Sequence, residues 1–419
     1  MSDLIKMKNQ QLRVPDNPEI PYLQGDGIGP EIWQTAQPVF DAAVLRAYHG
    51  RREIDWLPLL AGERAYELTG EWLPEETLAE LKRHLVAIKG PTTTPIGQGH
   101  RSINVALRQI LDLYACWRPV RYFKGAPSPV RHPERVNIDV FRENTEDIYA
   151  GIEAPAGSDM AKALENLLQE TGQLSRVRFP ATSAFGIKPI SKEGSQRLVQ
   201  AAVEYALKNH RHTLTLVHKG NIMKETEGGF KRWGYELIEQ NYAEQAFTMT
   251  QFARIKKEHG QELAEQSLNQ ARKQGMLIVN DVICDNFFQQ ALLFPEHFEV
   301  VATMNLNGDY LSDALAAQVG GLGIAPGSNI NYQTGHAIFE ATHGTAPQLA
   351  GKNLANPTSL ILSGAMMMEY LGWQQAAEII RKAVGQAIAD QKATPDLAPS
   401  KTALSTSEYG RLLVALINS

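Results

Sequence analysis

Asp309 and Asp313 stand four residues apart in NLNGDYLSDALAAQ, at the start of a segment with helical periodicity. That spacing puts both carboxylates on one helix face, roughly 6 Å apart. An isolated pair of this kind is ordinarily an exposed first turn favoured by the helix dipole. Asp285, just after another strand-like run in an otherwise apolar segment, changes the reading. Two like charges about 4 Å apart repel by roughly 1 kcal/mol in water and roughly 4 kcal/mol at an effective dielectric of about 20. Gathered at one site, three carboxylates would need a cation. A donor set of oxygens, with no Cys or His nearby in the sequence, points to Mg2+ or Mn2+ rather than zinc.

A second group carries the opposite charge. In GHRSINVALRQ, Ser102, Asn104 and Arg108 lie where a loop enters a helix, and capping is the competing use for Ser102. Arg118 and Arg142 interrupt the apolar strand patterns CWRPV and DVFRENTEDIY. A single arginine in a strand usually marks a solvated face. Three in separate segments of a chain with net charge -5 suit an anion bearing several carboxylates, because guanidinium binds carboxylate through two parallel hydrogen bonds. Tyr149 in ENTEDIYAGIE and Lys219 in LVHKGNIMK supply a proton donor and a base. His343 in HGTAPQLAG has no Ser or Cys nucleophile motif with it, so it reads as a hydrogen-bonded loop histidine.

These groups need elements to hold them. Strand-like IPYLQ, IDWLPL and VAIKG alternate with helix-like PEIWQTAQPVFDAAVLRAY and PEETLAELKRHL, and the rhythm returns in TLTLVHKGN, in MLIVN followed by DVICDNFFQQALLF, and in FEVVATMN. That alternation predicts an α/β fold. Residues 114–155 instead show consecutive strands, which suggests a differently built second domain, and residues 155–180 read as a polar peripheral insertion. GDGIGPE, at Gly25, lacks the third glycine of a Rossmann fingerprint, and its proline suits the first turn of a helix. A tight strand-to-helix turn is the plainer reading.

With 419 residues, 43% of them hydrophobic, the chain can bury two or three domains without staples. Its two cysteines, Cys116 and Cys284, sit in apolar surroundings and read as core residues of a protein in a reducing compartment. The acidic balance and the absence of a dense basic run argue against nucleic acid as a partner. The polar start and the lack of a long apolar run argue against a leader or a membrane span, so a cytoplasmic location is expected.

GDGIGPE, RSINVALRQILDLYACWRPV, FRENTEDIYAGIE, TLVHKGNIMKETEG, MNLNGDYLSDALAAQVGGLGIAPG and ATHGTAP together resemble the β-decarboxylating dehydrogenases, and within them the bacterial isocitrate dehydrogenases. The resemblance implies the isocitrate/isopropylmalate dehydrogenase-like α/β fold, without a Rossmann fingerprint. It implies a large domain (1–113 with 320–419), a small domain (114–146 with 192–319) and a clasp (147–191) that locks a homodimer. It implies that Ser102, Asn104, Arg108, Arg118 and Arg142 bind isocitrate, with Tyr149 as acid and Lys219, from the other subunit, as base or relay. Asp309 and Asp313 would hold Mg2+ or Mn2+ with Asp285 of the partner chain. Homoisocitrate and 3-isopropylmalate dehydrogenases, and noncatalytic regulatory subunits, share the resemblance. Ser102 and Asn104 stand where 3-isopropylmalate enzymes have apolar residues, and the intact catalytic set speaks against a regulatory subunit. Ser102 also matches a serine phosphorylated by a kinase in some bacterial members, where added charge would repel the substrate.

For the dinucleotide, the resemblance points to Thr93 and Thr94 at the nicotinamide end, the glycine loop 320–327, the loop 335–350 with His343, Gly344, Thr345, Gln348 and Leu349, and also Gln289, Asn356 and Asp396. NADP-dependent bacterial members place Lys and Tyr where Gln348 and Leu349 stand, Arg at Phe294, and Tyr and Arg near Pro395 and Pro399. None of the five is present here. A charge-assisted hydrogen bond is worth roughly 1.5–3 kcal/mol, so the sequence predicts a preference for NAD, with NADP not absolutely excluded.

Overall fold

The computed structural model describes residues 3–9, 11–93 and 102–419. Its strands, in chain order, are β1 (Lys6–Lys8), β2 (Gln11–Arg13), β3 (Glu19–Leu23), β4 (Asp55–Pro58), β5 (Val86–Lys89), β6 (Ala115–Arg121), β7 (Asn137–Glu143), β8 (Glu153–Ala154), β9 (Phe185–Gly186), β10 (Thr213–His218), β11 (Ala246–Thr248), β12 (Leu277–Ile283), β13 (Val300–Thr303), β14 (Pro326–Ile330) and β15 (Ala337–Ala341). Eleven of them form one sheet in the order β11-β12-β10-β13-β7-β6-β14-β15-β5-β3-β4. β1–β2 and β8–β9 are separate antiparallel hairpins.

Both outer thirds of the sheet are parallel, and the antiparallel pairs β7–β6, β6–β14 and β14–β15 lie in the middle. In the main sheet, strands drawn from before residue 113 and after residue 320 occupy one end, and strands from between them occupy the other. β6 and β7 are neighbours because residues 122–136 return the chain without a crossover helix, and an antiparallel pair needs none.

Helices cover the faces. Helix Gly29–Tyr48 opens with Pro30, whose missing N–H costs nothing in a first turn, and buries Ile32, Trp33, Ala36, Val39, Phe40, Ala43 and Val44 along one stripe. Helix Thr358–Tyr370 is buried on every side from Thr358 to Met368, as its nearly unbroken apolar sequence requires. It lies against β14 and β15. Gly364 lets helix Gly29–Tyr48 approach, since a Cβ there would stand 2.2 Å from the Phe40 ring.

One boundary differs from the sequence reading. DVI, expected as the start of a helix, continues β12, and helix Cys284–Leu293 begins only afterwards. The strand persists because β10 pairs with it through His218↔Ile283 and because Asp281 accepts hydrogen bonds from His218 (3.0 Å) and Tyr235 (2.7 Å). Residues 155–180 contain the exposed helix Asp159–Glu170. Both cysteines are free, Cys116 buried and Cys284 partly so. Among the described residues, no helix is long and apolar enough to cross a membrane.

Candidate active site

β6 and β7 place their arginines side by side: Cys116 is the register partner of Arg142, and Arg118 stands two residues further along β6. Helix Asn305–Val319 crosses these strands with its polar first turns facing them. Its Gly308 is required, because a Cβ there would lie 2.4 Å from Arg142 Cγ. Arg142 donates from Nε to Asn305 Oδ1 (2.9 Å) and from Nη1 to Asp309 Oδ1 (2.6 Å). Arg118 donates from Nη1 to Ser312 Oγ (2.7 Å) and Asp313 Oδ1 (3.2 Å). The Tyr149 hydroxyl donates to Asp309 Oδ2 at 2.8 Å, and the Arg142 guanidinium lies 5.0 Å from the centre of the tyrosine ring. Arg108, from helix Ile103–Ile110, donates to Glu340 Oε1 at 3.1 Å.

All three arginines are buried, yet Arg108 Nε, Arg118 Nε and Arg142 Nη2 have no hydrogen-bond partner. Buried cationic donors left unpaired are costly, so the cluster is built for an anion with several oxygens. Burial, followed by repulsion from Arg108 and Arg118, lowers the Arg142 guanidinium from its usual range. Burial would raise Asp309, but Arg142 and Arg118 outweigh it and hold the carboxylate below its ordinary value. Burial, reinforced by Asp309 and opposed by Arg142, raises the Tyr149 phenol, which therefore keeps its proton at neutral pH.

Lys219 and Asp285 form an ion pair of their own, at the ends of β10 and β12, with Gln289 one turn beyond Asp285. They do not join the arginine cluster. Among the described residues, no three His, Cys, Asp or Glu side chains gather into a metal-binding group within one chain. Asp309 and Asp313 fit a hard divalent ion as two carboxylates on one helix face, and a third donor has to come from elsewhere.

A cleft of about 610 Å³ is lined by Ile28, Gly323, His343, Gly344, Leu349, Asn356 and Asp396 among others. Its size suits a nucleoside. His343 Nδ1 donates to the carbonyl of Gly344 (2.9 Å), and its buried Nε2 has no partner. Burial lowers its pKa, so the ring is neutral and Nε2 offers a lone pair to a ligand. Asn356 donates to Asp396 at 2.8 Å, and Gly323 permits this contact, since a Cβ would come within 3.0 Å of both. Gln348 is exposed on the turn Pro347–Leu349.

The glycine cluster at Gly25 touches protein. A Cβ at Gly25 would stand 2.1 Å from Pro91 O, and one at Gly27 would stand 2.1 Å from Thr345 O. Asp26 accepts from the backbone N–H of Thr93 (2.7 Å) and of Glu63 (2.8 Å). The turn thus ties the loop at Thr93 to the loop at Thr345. Thr94 lies outside the described residues. Ser102 occupies the N-cap position of its helix without making the capping bond, and Asn104 accepts from Thr92 at 3.1 Å.

Sequence reasoning missed Lys89 and Glu340. Glu340 is buried on β15, paired with Lys89 (2.8 Å) and Arg108 (3.1 Å). Burial opposes its charge, but those two cations and Asn329 hold it far below the usual carboxylate range. The available signal was a charge inside each of the apolar strands VAIKG and AIFEA.

Comparison with known proteins places this site in a lineage. Residues 19–413 match the model of the isocitrate/isopropylmalate dehydrogenase family. An isocitrate dehydrogenase [NADP] of Streptococcus mutans is 54% identical over 419 residues, covering 100% of each chain. One of Staphylococcus aureus is 55% identical over 397 residues, covering 95% of this chain and 94% of that one. The crystal structure of isocitrate dehydrogenase from Methylococcus capsulatus superposes with a TM-score of 0.77 at 34% identity, covering 96% of this chain and 99% of that one. The relatives' names correct the expected preference for NAD. Neutral residues at Gln348, Leu349, Phe294, Pro395 and Pro399 therefore do not decide against a dinucleotide that carries a 2′-phosphate. Lys352 is exposed in the segment between Leu349 and Leu354, two residues that line the cleft, and Phe294 lies at the end of helix Cys284–Leu293 and does not line the cleft. The chain belongs to the isocitrate/isopropylmalate dehydrogenase family.

Proposed function

We propose that the protein is an NADP-dependent isocitrate dehydrogenase, converting isocitrate to 2-oxoglutarate and carbon dioxide. The observation that carries this reading is the trio of buried arginines with unpaired donors beside two carboxylates and a protonated tyrosine. Arg108, Arg118 and Arg142 bind and orient the carboxylates of the substrate. Lys219 of the partner subunit takes the proton from the C2 hydroxyl, and a bound dinucleotide would supply the acceptor for the C2 hydride. After the β-carboxylate leaves as carbon dioxide, Tyr149, which holds its proton at neutral pH, delivers it to C3. Asp309 and Asp313, with Asp285 of the partner subunit, would hold Mg2+ or Mn2+. When bound, that ion supplies Lewis-acid charge at the C2 oxygen.

The separation of Lys219 and Asp285 from the arginine cluster within one chain supports a homodimer with shared sites. The division into large domain, small domain and clasp belongs to the same proposal. The cleft at His343 takes the adenosine part of the cofactor, and Lys352 is the candidate partner for its 2′-phosphate. Purified protein with isocitrate and Mg2+ is expected to reduce NADP with a higher kcat/KM than NAD, followed by the absorbance of the reduced nicotinamide. No reduction of either dinucleotide would sink the enzymatic reading, and reduction only with 3-isopropylmalate would sink the substrate.

A further inference from the structure

Lys219 is fixed by its backbone as well as by its side chain. Its N–H donates to Glu227 Oε2, and the next N–H, of Gly220, donates to His218 Nδ1 at 3.0 Å. Glu227 is the first residue of helix Glu227–Asn241 and only 1% exposed. The same Oε2 accepts from Asn307 Nδ2 at 3.0 Å, and Oε1 lies 3.1 Å from Lys188 Nζ. Lys188 in turn pairs with Asp147, which is fully buried. Asp147 accepts from the backbone N–H of Leu306 (2.9 Å) and of Ile148 (2.7 Å), at a left-handed φ of 68°. It therefore caps the first turn of helix Asn305–Val319 and sets the turn that carries Tyr149.

The chain of contacts has two ends. One is the backbone of Lys219. The other is the helix that bears Asp309 and Asp313, with Tyr149 beside it. Two buried carboxylates share one lysine, and the helix termini at Glu227 and Leu306 supply the remaining positive potential. Such a unit keeps its members in one arrangement, because losing any contact leaves a buried charge underpaired.

Resting on the shared-site reading above, we infer that Glu227 is a positioning residue for two active sites at once: through its hydrogen bonds it holds the lysine that a chain lends to its partner and the metal-site helix that the chain keeps for itself.

Mixed dimers separate these roles. A Tyr149→Phe chain paired with a Lys219→Met chain has one intact site, made of Lys219 from the first and Tyr149 and Asp309 from the second. If that mixed dimer is no more active than the two variant homodimers, the shared-site reading fails before Glu227 is touched, and the inference falls with it. Otherwise Glu227→Gln is added to one chain at a time. In the lysine-donating chain it is expected to lower kcat about tenfold with KM for isocitrate nearly unchanged, as misplacement of a reacting group does. In the chain that bears Asp309 it is expected to weaken Mg2+ binding about tenfold, read by calorimetric titration of the mixed dimer with Mg2+ as well as by the half-saturating concentration, as loss of a group supporting a metal ligand does. Asn307→Ala cuts only the helix arm, so it should reproduce the Mg2+ effect in the second chain and leave the first unaffected; it also carries the test should Glu227→Gln fail to fold. An intact site whose kcat and Mg2+ requirement are indifferent to which chain carries these changes overturns the inference.

Discussion

Asp309 receives Arg142 on one carboxylate oxygen and the Tyr149 hydroxyl on the other, so its charge orients together the guanidinium proposed to bind substrate and the phenol proposed to donate a proton. Asparagine in its place keeps the shape but offers one acceptor and no charge. Asp309→Asn is expected to lower kcat/KM for isocitrate by about a hundredfold, within the range for losing groups that hold a metal or a reacting geometry. Circular dichroism should remain that of the parent chain. Undiminished turnover at ordinary Mg2+ concentration would rule out the role given to this residue. Much of this arrangement was legible in residue types alone, since Arg118 and Arg142 break apolar strand patterns and Asp309 and Asp313 share a helix face. The pairing of Lys89 and Arg108 with Glu340 was not, because their partnership spans more than two hundred residues of chain and only the sheet order brings β5 beside β15.

β7 ends in a tight turn whose N–H groups converge on Glu143. The carboxyl is 2% exposed, and burial pushes its pKa up to about 6 although Thr145 and Glu146 donate to it. Its ordinary value is 4.5, so between roughly pH 4.5 and 6 the folded chain holds more protons than the unfolded one. Stability conferred by this residue therefore falls as pH rises through that window, by about 2 kcal/mol. Relative to a Glu143→Gln variant, the parent chain should lose about that much unfolding free energy from acid to neutral pH, measured by urea titration. A difference between the two that does not vary with pH would refute the assignment. At this scale the sequence pattern located strands and helices well and their ends less well. DVI reads as a helix start because its neighbours are apolar in both periods, and only pairing with β10 and the hydrogen bonds to Asp281 decide for strand. The glycines of GDGIGPE were correctly denied a Rossmann role, but their use, close approach to the carbonyls of Pro91 and Thr345, depends on loops far away in sequence.

For the whole molecule, recognition of the family rested on motifs spread over most of the chain, and the fold followed from it. The cofactor did not, because the neutral residues considered include Phe294, which does not line the cleft, and do not by themselves decide whether a phosphate is bound. If sites are shared between two chains, catalysis requires association. Specific activity should then fall as the protein is diluted through its dimer dissociation range, in step with the sedimentation coefficient. Full activity in a preparation of monomers would exclude a shared site.

The strand order has a further consequence during synthesis. β5 pairs with β15, whose first residue is made about 250 residues later. At roughly 5–20 residues per second, β5 leaves the ribosome about 10–50 seconds before the strand that covers its edge. Its apolar edge is open for that interval, a template for pairing with neighbouring nascent chains. The arrangement that lets both ends of the chain line one cleft therefore leaves the first quarter of the protein with an uncovered strand edge while the rest is made.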